Sequence, residues 1–154
     1  MPTATENLVE AIITGLSESL PDLLAAQDLP IPGDGGYSYG EPELKPTSRT
    51  PYVSVDVADL AQREISIGGG LERDYKLVVY AIISGPDPET VARELHRWAD
   101  CLITAIEGLA IAGITHFMAE RGDFSPNLRG GNVLFRGVMI DVTAIAHRAF
   151  GSAP

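Results

Sequence analysis

Three histidines, one cysteine and 21 carboxylates are the residues of this 154-residue chain that could do chemistry. His96, His116 and His147 share no paired spacing such as His-x-x-x-His. A zinc site needs three or four convergent ligands, and this spacing supplies none, so the three read as ordinary surface or partly buried histidines. Cys101 and His116 could form a nucleophile and its base. Yet Cys101 falls late in a helical segment, where the helix dipole raises a thiol's pKa, and a small buried residue is the better reading. Ser66 has Gly68 after it but Glu64 before it, so no nucleophile elbow exists. Gly33-Asp-Gly35-Gly36 lacks the Lys and Ser/Thr of a phosphate loop, and Gly68-Gly69-Gly70 sits between two strand patterns; both read as turns or flexible loop. Paired acids such as Asp56 with Asp59, or Glu72 with Asp74, would serve a glycosidase or a metal-dependent nuclease only if they faced one cleft. With so many acids in so short a chain, chance neighbours are expected, and a solvated acidic face accounts for them. The sequence therefore points to no catalytic residue, no cofactor and no metal ligand.

Composition narrows the class. Eleven Lys and Arg against 21 acids give a net charge of −10 and a pI near 4.6. Tight wrapping of nucleic acid needs clustered cations to displace counterions, and this balance argues against it. One cysteine allows no internal disulfide, which fits a reducing compartment. The N-terminus lacks a basic region, and Glu6 and Glu10 interrupt its apolar residues, so no secretion signal is expected. Residues 101 to 119 are the most membrane-like run. They hold Glu107, His116, Gly108 and Gly113, and read as a helix end followed by a strand, with no membrane span. The length suits one domain over residues 1–154.

The stretch from Leu71 to Glu107 organises the rest. Leu71 to Ile83 alternates as a long strand, with Leu71, Arg73, Tyr75, Leu77, Val79, Ala81 and Ile83 on the core face. The other face begins polar and becomes apolar from Val78 through Tyr80 and Ile82. Asp87 then caps a helix and Pro88 fits its first position. Val91, Leu95, Trp98, Leu102 and Ile106 make one apolar stripe, and Gly108 supplies the stop. Upstream, Thr3 and Glu6 read as a capping box for a helix marked by Val9, Ile12, Ile13, Leu16 and Leu20. Pro21 is expected to kink or end it. Residues 27–51, rich in Gly and Pro, read as a long loop or arm. Strands are expected over 51–57, 61–67, 109–118 and 133–147, with a loop over 121–131.

This order predicts an α+β domain: a mainly antiparallel sheet with two principal helices on one face. The other face would carry Val78, Tyr80, Ile82, Met139 and Ile145 among polar groups. A monomer should not leave many of these exposed, so they are the candidate subunit-interface residues.

These residues together resemble a known family. The N-terminal amphipathic helix, the run from Pro51 to Val55, the strand from Arg73 to Tyr80, the corner Asp87-Pro-Glu89, the helix through Leu95 and Trp98, Phe124-Ser125 and the run from Leu134 to Gly137 are similar in pattern and order to the tail-terminator or tail-completion proteins of the bacteriophage neck. The likeness spans about residues 8–147. It implies a structural virion protein with no enzymatic activity, assembled in the bacterial host cytoplasm. Such proteins form a homo-oligomeric ring, usually of six subunits, that caps the tail tube, ends its polymerisation and docks the head–tail connector. Its partners would be itself, the tail tube protein and the connector or adaptor protein, while DNA passes through without specific binding. An acidic lumen would suit that passage, because it repels phosphate. Residues 27–51 and 121–132 would be contact loops. Two alternatives stay open: another neck or head–tail joining subunit, and a small soluble ligand-binding or enzymatic α+β domain.

Overall fold

A computed structural model describes residues 1–42, 49–66 and 70–149. Its elements are α1 (Ala4–Ala26), β1 (Tyr37–Tyr39), β2 (Tyr52–Ser66), β3 (Gly70–Gly85), α2 (Pro88–Glu107), β4 (Ile114–Phe124), β5 (Leu128–Gly130) and β6 (Val133–Ala149). The strands form one sheet in the order β1-β2-β3-β6-β4, with β5 beside β6 on the same edge as β4. Every pairing is antiparallel except β1 with β2. The fold is α+β, with both helices on one face of a mainly antiparallel sheet.

Each helix is stopped and started by its own sequence. Thr3 Oγ1 accepts from Glu6 N at 3.2 Å, and Glu6 Oε2 accepts from Thr3 N at 2.6 Å, closing the capping box of α1. Asp87 Oδ1 accepts from Thr90 N at 2.9 Å, and Pro88 occupies the first helical position of α2. Gly108 caps α2 from a right-handed conformation, so its use there is not a left-handed turn. Pro21 does not end α1, which continues to Ala26. Leu20 and Leu24 are fully buried on either side of it, and this packing outweighs the lost backbone bond. Gly15 faces Leu109 at the end of α2, whereas the Cys101 thiol donates to Leu23 O, so the two helices run antiparallel.

The buried face of the sheet follows the alternation of β3. Tyr75, Leu77, Val79 and Ala81 pair with Ala144, Val142, Ile140 and Val138 of β6, and all eight are buried. Trp98, Leu95 and Leu102 from α2 and Ile12, Leu16 and Leu20 from α1 close over them, each fully buried. Burying a large apolar side chain contributes about 1.5–3 kcal/mol, so this layer dominates stability.

Four elements differ from the sequence reading. Residues 52–66 form one strand with bulges after Val57 and Glu64, where two were expected. The bulges break the alternation that would have joined them. The strand expected at 109–118 begins at Ile114, after a turn in which Gly113 adopts φ +81°, and runs on to Phe124. The segment 121–131 therefore carries strand as well as loop, with Leu128–Gly130 adding β5. Gly131 takes φ +63° in the tight turn from β5 into β6, a conformation that favours glycine. Within the arm, Tyr37–Tyr39 forms the parallel strand β1 on β2, with Gly40 N donating to Val55 O at 2.8 Å. The turn expected at Gly68-Gly69 and the middle of the arm, residues 43–48, lie outside the described residues.

Strand and helix lengths do not match. At about 3.3 Å per residue the 15 to 17 residues of β2, β3 and β6 reach roughly 50–56 Å, whereas 20 and 23 helical residues reach about 30–35 Å. The sheet outruns its helices, and residues 58–64 of β2 are exposed on both faces.

Candidate functional site

Among the described residues, no three His, Cys, Asp or Glu side chains are grouped to hold a metal, and no helix is long and apolar enough to cross a membrane. Cys101 is buried, its thiol pushed up first by burial and then by Asp100, and no hydrogen bond joins it to His116, which is exposed on β4. His96 is exposed on α2 and meets the Phe124 ring edge-on at 5.3 Å. His147 lies 3.8 Å from Glu72. The three histidines thus sit on α2, β4 and β6 without converging.

What the fold does gather is the helix-free face of the sheet. Register places Tyr52, Ser54 and Asp56 of β2 beside Ile82, Tyr80 and Val78 of β3, and these beside Gly137, Met139 and Asp141 of β6. Met118 of β4 pairs with Thr143. The five candidate interface residues lie on this face, but their exposure differs. Val78 and Ile82 are buried at 8% and 4% exposure, Tyr80 and Ile145 are half-buried, and Met139 is 40% exposed. The arm explains part of this. Ser54 Oγ donates to Gly40 O, and Glu41 and Pro42 line a cleft of about 290 Å³ with Tyr80, Ile82, Gly137 and Met139. The chain therefore covers Ile82 itself and leaves Met139 open.

Much of the rest of this face is polar, and although Asp74 Oδ1 is buried without a hydrogen bond, a chain of side-chain bonds links three neighbours. Lys76 Nζ donates to Thr143 Oγ1 at 3.0 Å, and Thr143 Oγ1 donates to Glu120 Oε1 at 2.6 Å. Glu120 shares the face of Met118, two residues before it on β4, and so lies diagonal to Thr143. The Tyr80 phenol is pushed up first by burial, then by Glu41, Asp56 and Asp141. A phenol ringed by carboxylates stays protonated at neutral pH and cannot act as a base. The arrangement offers contact surface and no nucleophile–base pair.

Large exposed apolar side chains, apart from Met1, are Ile31 in the loop before β1, Tyr39 and Leu60 on β1 and β2, Met118 and Phe124 on the edge strand β4, and Val133 and Met139 on β6, where Met139 lies between Tyr80 and Asp123. The sequence reading missed most of these. Bulges after Ile114 and Ala119 hide the alternation of β4, so Met118 carried no signal. The runs Phe124-Ser125 and Leu134 to Gly137, singled out in the sequence, meet here: Arg136 Nε donates to Ser125 O at 2.7 Å and its guanidinium lies 5.9 Å from the Phe124 ring.

No protein-family model matches the chain, and no curated protein matches it. Among solved structures it is similar to a chain of the "Virion of native gene transfer agent (GTA) particle", with 16% identity and a TM-score of 0.49, over 89% of this chain and 98% of that one.

Proposed function

We infer that this chain is a structural virion protein, a tail terminator that works by assembling into a homo-oligomeric ring at the end of a phage tail tube. The ring would be hexameric, would end tube polymerisation and would present a docking surface to the head–tail connector. The observation that carries this reading is the pairing of an unfinished surface with an absence of reactive grouping. The helix-free face exposes Met118 and Met139 at 41% and 40%, both edges of the sheet are open beyond β1, and no metal-type cluster lies among the described residues. The pattern resemblance to tail-completion proteins supports the same reading. DNA would pass through the ring without specific binding, a role compatible with a net charge of −10.

Val78, Tyr80, Ile82, Met139 and Ile145 then divide in role. Val78 and Ile82 hold the sheet together, while Tyr80, Met139 and Ile145 remain available to an adjacent subunit. The test is negative-stain imaging with mass photometry of the purified protein, alone and mixed with tail tubes. A ring with an open centre, found at tube ends, is the expected result. A protein that stays monomeric and never joins tubes would refute the reading.

A further inference from the structure

Residues 36–42 hook around the free edge of β2. Tyr37, Ser38 and Tyr39 pair in parallel with Val53, Ser54 and Val55. Val53 N donates to Gly36 O at 2.7 Å and Gly40 N donates to Val55 O at 2.8 Å, so the hook takes up backbone groups that the edge would otherwise offer outward. At Gly40 the chain turns with φ +102°, the Ser54 hydroxyl donates to Gly40 O, and Glu41 and Pro42 reach the cleft beside Tyr80, Ile82 and Met139. The hook sits at one particular stretch of the edge. Tyr52 to Val57 is the part of β2 whose register with β3 runs without a bulge, and the bulges and the exposed charges Asp59 and Arg63 come only after it. The hook therefore covers edge that no bulge interrupts.

Its attachment is slight. Three residues pair in the hook, whereas the register of β2 with β3 runs from Tyr52 to Ser66, and parallel pairing is the weaker kind. Tyr39 is exposed. Tyr37 packs against the core, yet its phenol oxygen is buried and finds no hydrogen-bond partner among the described residues. Few buried apolar contacts, with hydrogen bonds at an edge, mark a segment that opens more readily than the whole fold.

We propose that residues 36–42 are a releasable guard, an autoinhibitory contact that opens while the rest of the chain stays folded and, when closed, keeps the regular edge of β2 from pairing with other sheets. Opening bares Val53, Ser54 and Val55 along the edge and Ile82 on the helix-free face. This goes beyond the ring reading and does not depend on it, because a closed ring and a guarded edge are separate properties.

The experiment uses the full chain as wild type, as Gly40→Val, and as Ser38→Cys/Ser54→Cys compared oxidised and reduced. A Cβ at Gly40 meets nothing within 4 Å, so valine strains only the backbone there and loosens the hook. Ser38 and Ser54 are register partners, and adjacent strands bring Cα atoms within disulfide range, so oxidation locks the hook onto β2. Urea melts check that each form folds cooperatively. Amide exchange read by NMR reports opening. In wild type, Gly40 and Val53 should exchange about 100-fold or more faster than Val79 and Ala81 of β3, with little response to low urea. Oxidation should slow both by about tenfold or more, and reduction should restore them. Thioflavin binding and light scattering report open-ended edge pairing, which a closed ring does not give. Gly40→Val should begin to aggregate at a lower concentration than wild type, and the oxidised cysteine pair at a higher one. If Gly40 and Val53 exchange only together with Val79 and Ala81, at the same urea dependence, no separate opening exists and the proposal is overturned. If Gly40→Val frees Val53 yet stays as dispersed as the oxidised form, the hook opens but guards nothing, and the proposal is overturned as well. Should Gly40→Val not fold, the reduced and oxidised forms of the cysteine pair carry the same comparison. None of these results touches the ring reading, which imaging of the assembly decides.

Discussion

Replacing Met118 and Met139 together by glutamine should leave the monomer intact and weaken its assembly. Glutamine keeps the length of methionine, so the stem stays on the sheet and only the apolar tip changes. The two side chains are 41% and 40% exposed, so each holds about two-fifths of its apolar surface for a partner to cover. Full burial of a methionine contributes about 1.5–3 kcal/mol, and two-fifths of that is about 0.6–1.2 kcal/mol. Both together give about 1.2–2.4 kcal/mol per contact, or roughly eight- to sixtyfold in affinity. This is a floor, because a glutamine amide buried without a partner costs about 1–3 kcal/mol more. Monomer stability should change by about 0.5 kcal/mol or less per site, as for ordinary surface substitutions. Analytical ultracentrifugation across a dilution series reads the affinity, and urea unfolding reads the stability. A double variant that assembles at the same concentration as wild type would refute the claim that this part of the helix-free face is covered in the assembly.

Ile82→Lys should behave oppositely and fail before assembly. Ile82 is 4% exposed, and an unpaired ammonium there should destabilise the monomer by more than about 3 kcal/mol, read as a lost or lowered cooperative melt. Trp98→Ala should cost about 3–5 kcal/mol in urea unfolding, because the indole is fully buried between the helices and the sheet. Trp98→Phe should cost markedly less, since Trp98 Nε1 has no hydrogen-bond partner to lose. Asp87→Ala should remove the cap of α2. The backbone N–H of Thr90, followed by its hydroxyl, holds the Asp87 carboxyl below the usual carboxylate range. A depressed folded pKa means the carboxylate stabilises the fold above its unfolded value and loses that effect as pH falls through the folded value. The stability gap between wild type and Asp87→Ala should therefore be full at pH 7 and narrow below about pH 4, as pH-dependent urea melts can measure.

The parts legible in the sequence were those set by local rules. Asp87-Pro88 and Thr3 with Glu6 announce helix starts because capping uses side chains within one turn. The alternation from Leu71 to Ile83 announces a strand with a core face because the period of two is intrinsic to extended chain. Less visible was whatever depends on distant partners. Val78 and Ile82 look like a sticky face in sequence, yet both are buried, and Pro42, about forty residues upstream of Ile82, shares its cleft. The three residues of β1 show no pattern of their own and exist as a strand because β2 offers its edge. Bulges hid the unity of β2 and the true span of β4, since one added residue reverses every following side chain.

The two borders also explain why copies of this chain would meet through side chains rather than through a continuous backbone ladder. A long flat edge strand invites unlimited pairing, and folded proteins blunt such edges with bulges and charges. Both devices are present. The free edge of β2 beyond β1 carries a bulge after Val57 and the charged residues Asp59 and Arg63, with Arg63 bonded to Glu72. The edge of β4 carries two bulges in 11 residues. Neither edge offers a regular run of backbone donors and acceptors to a second sheet. What these edges offer a partner is isolated apolar side chains, Leu60 on β2 and Met118 on β4. The closed ring proposed above would need blunted edges of this kind, because its contact must close on itself and must not propagate as a fibre.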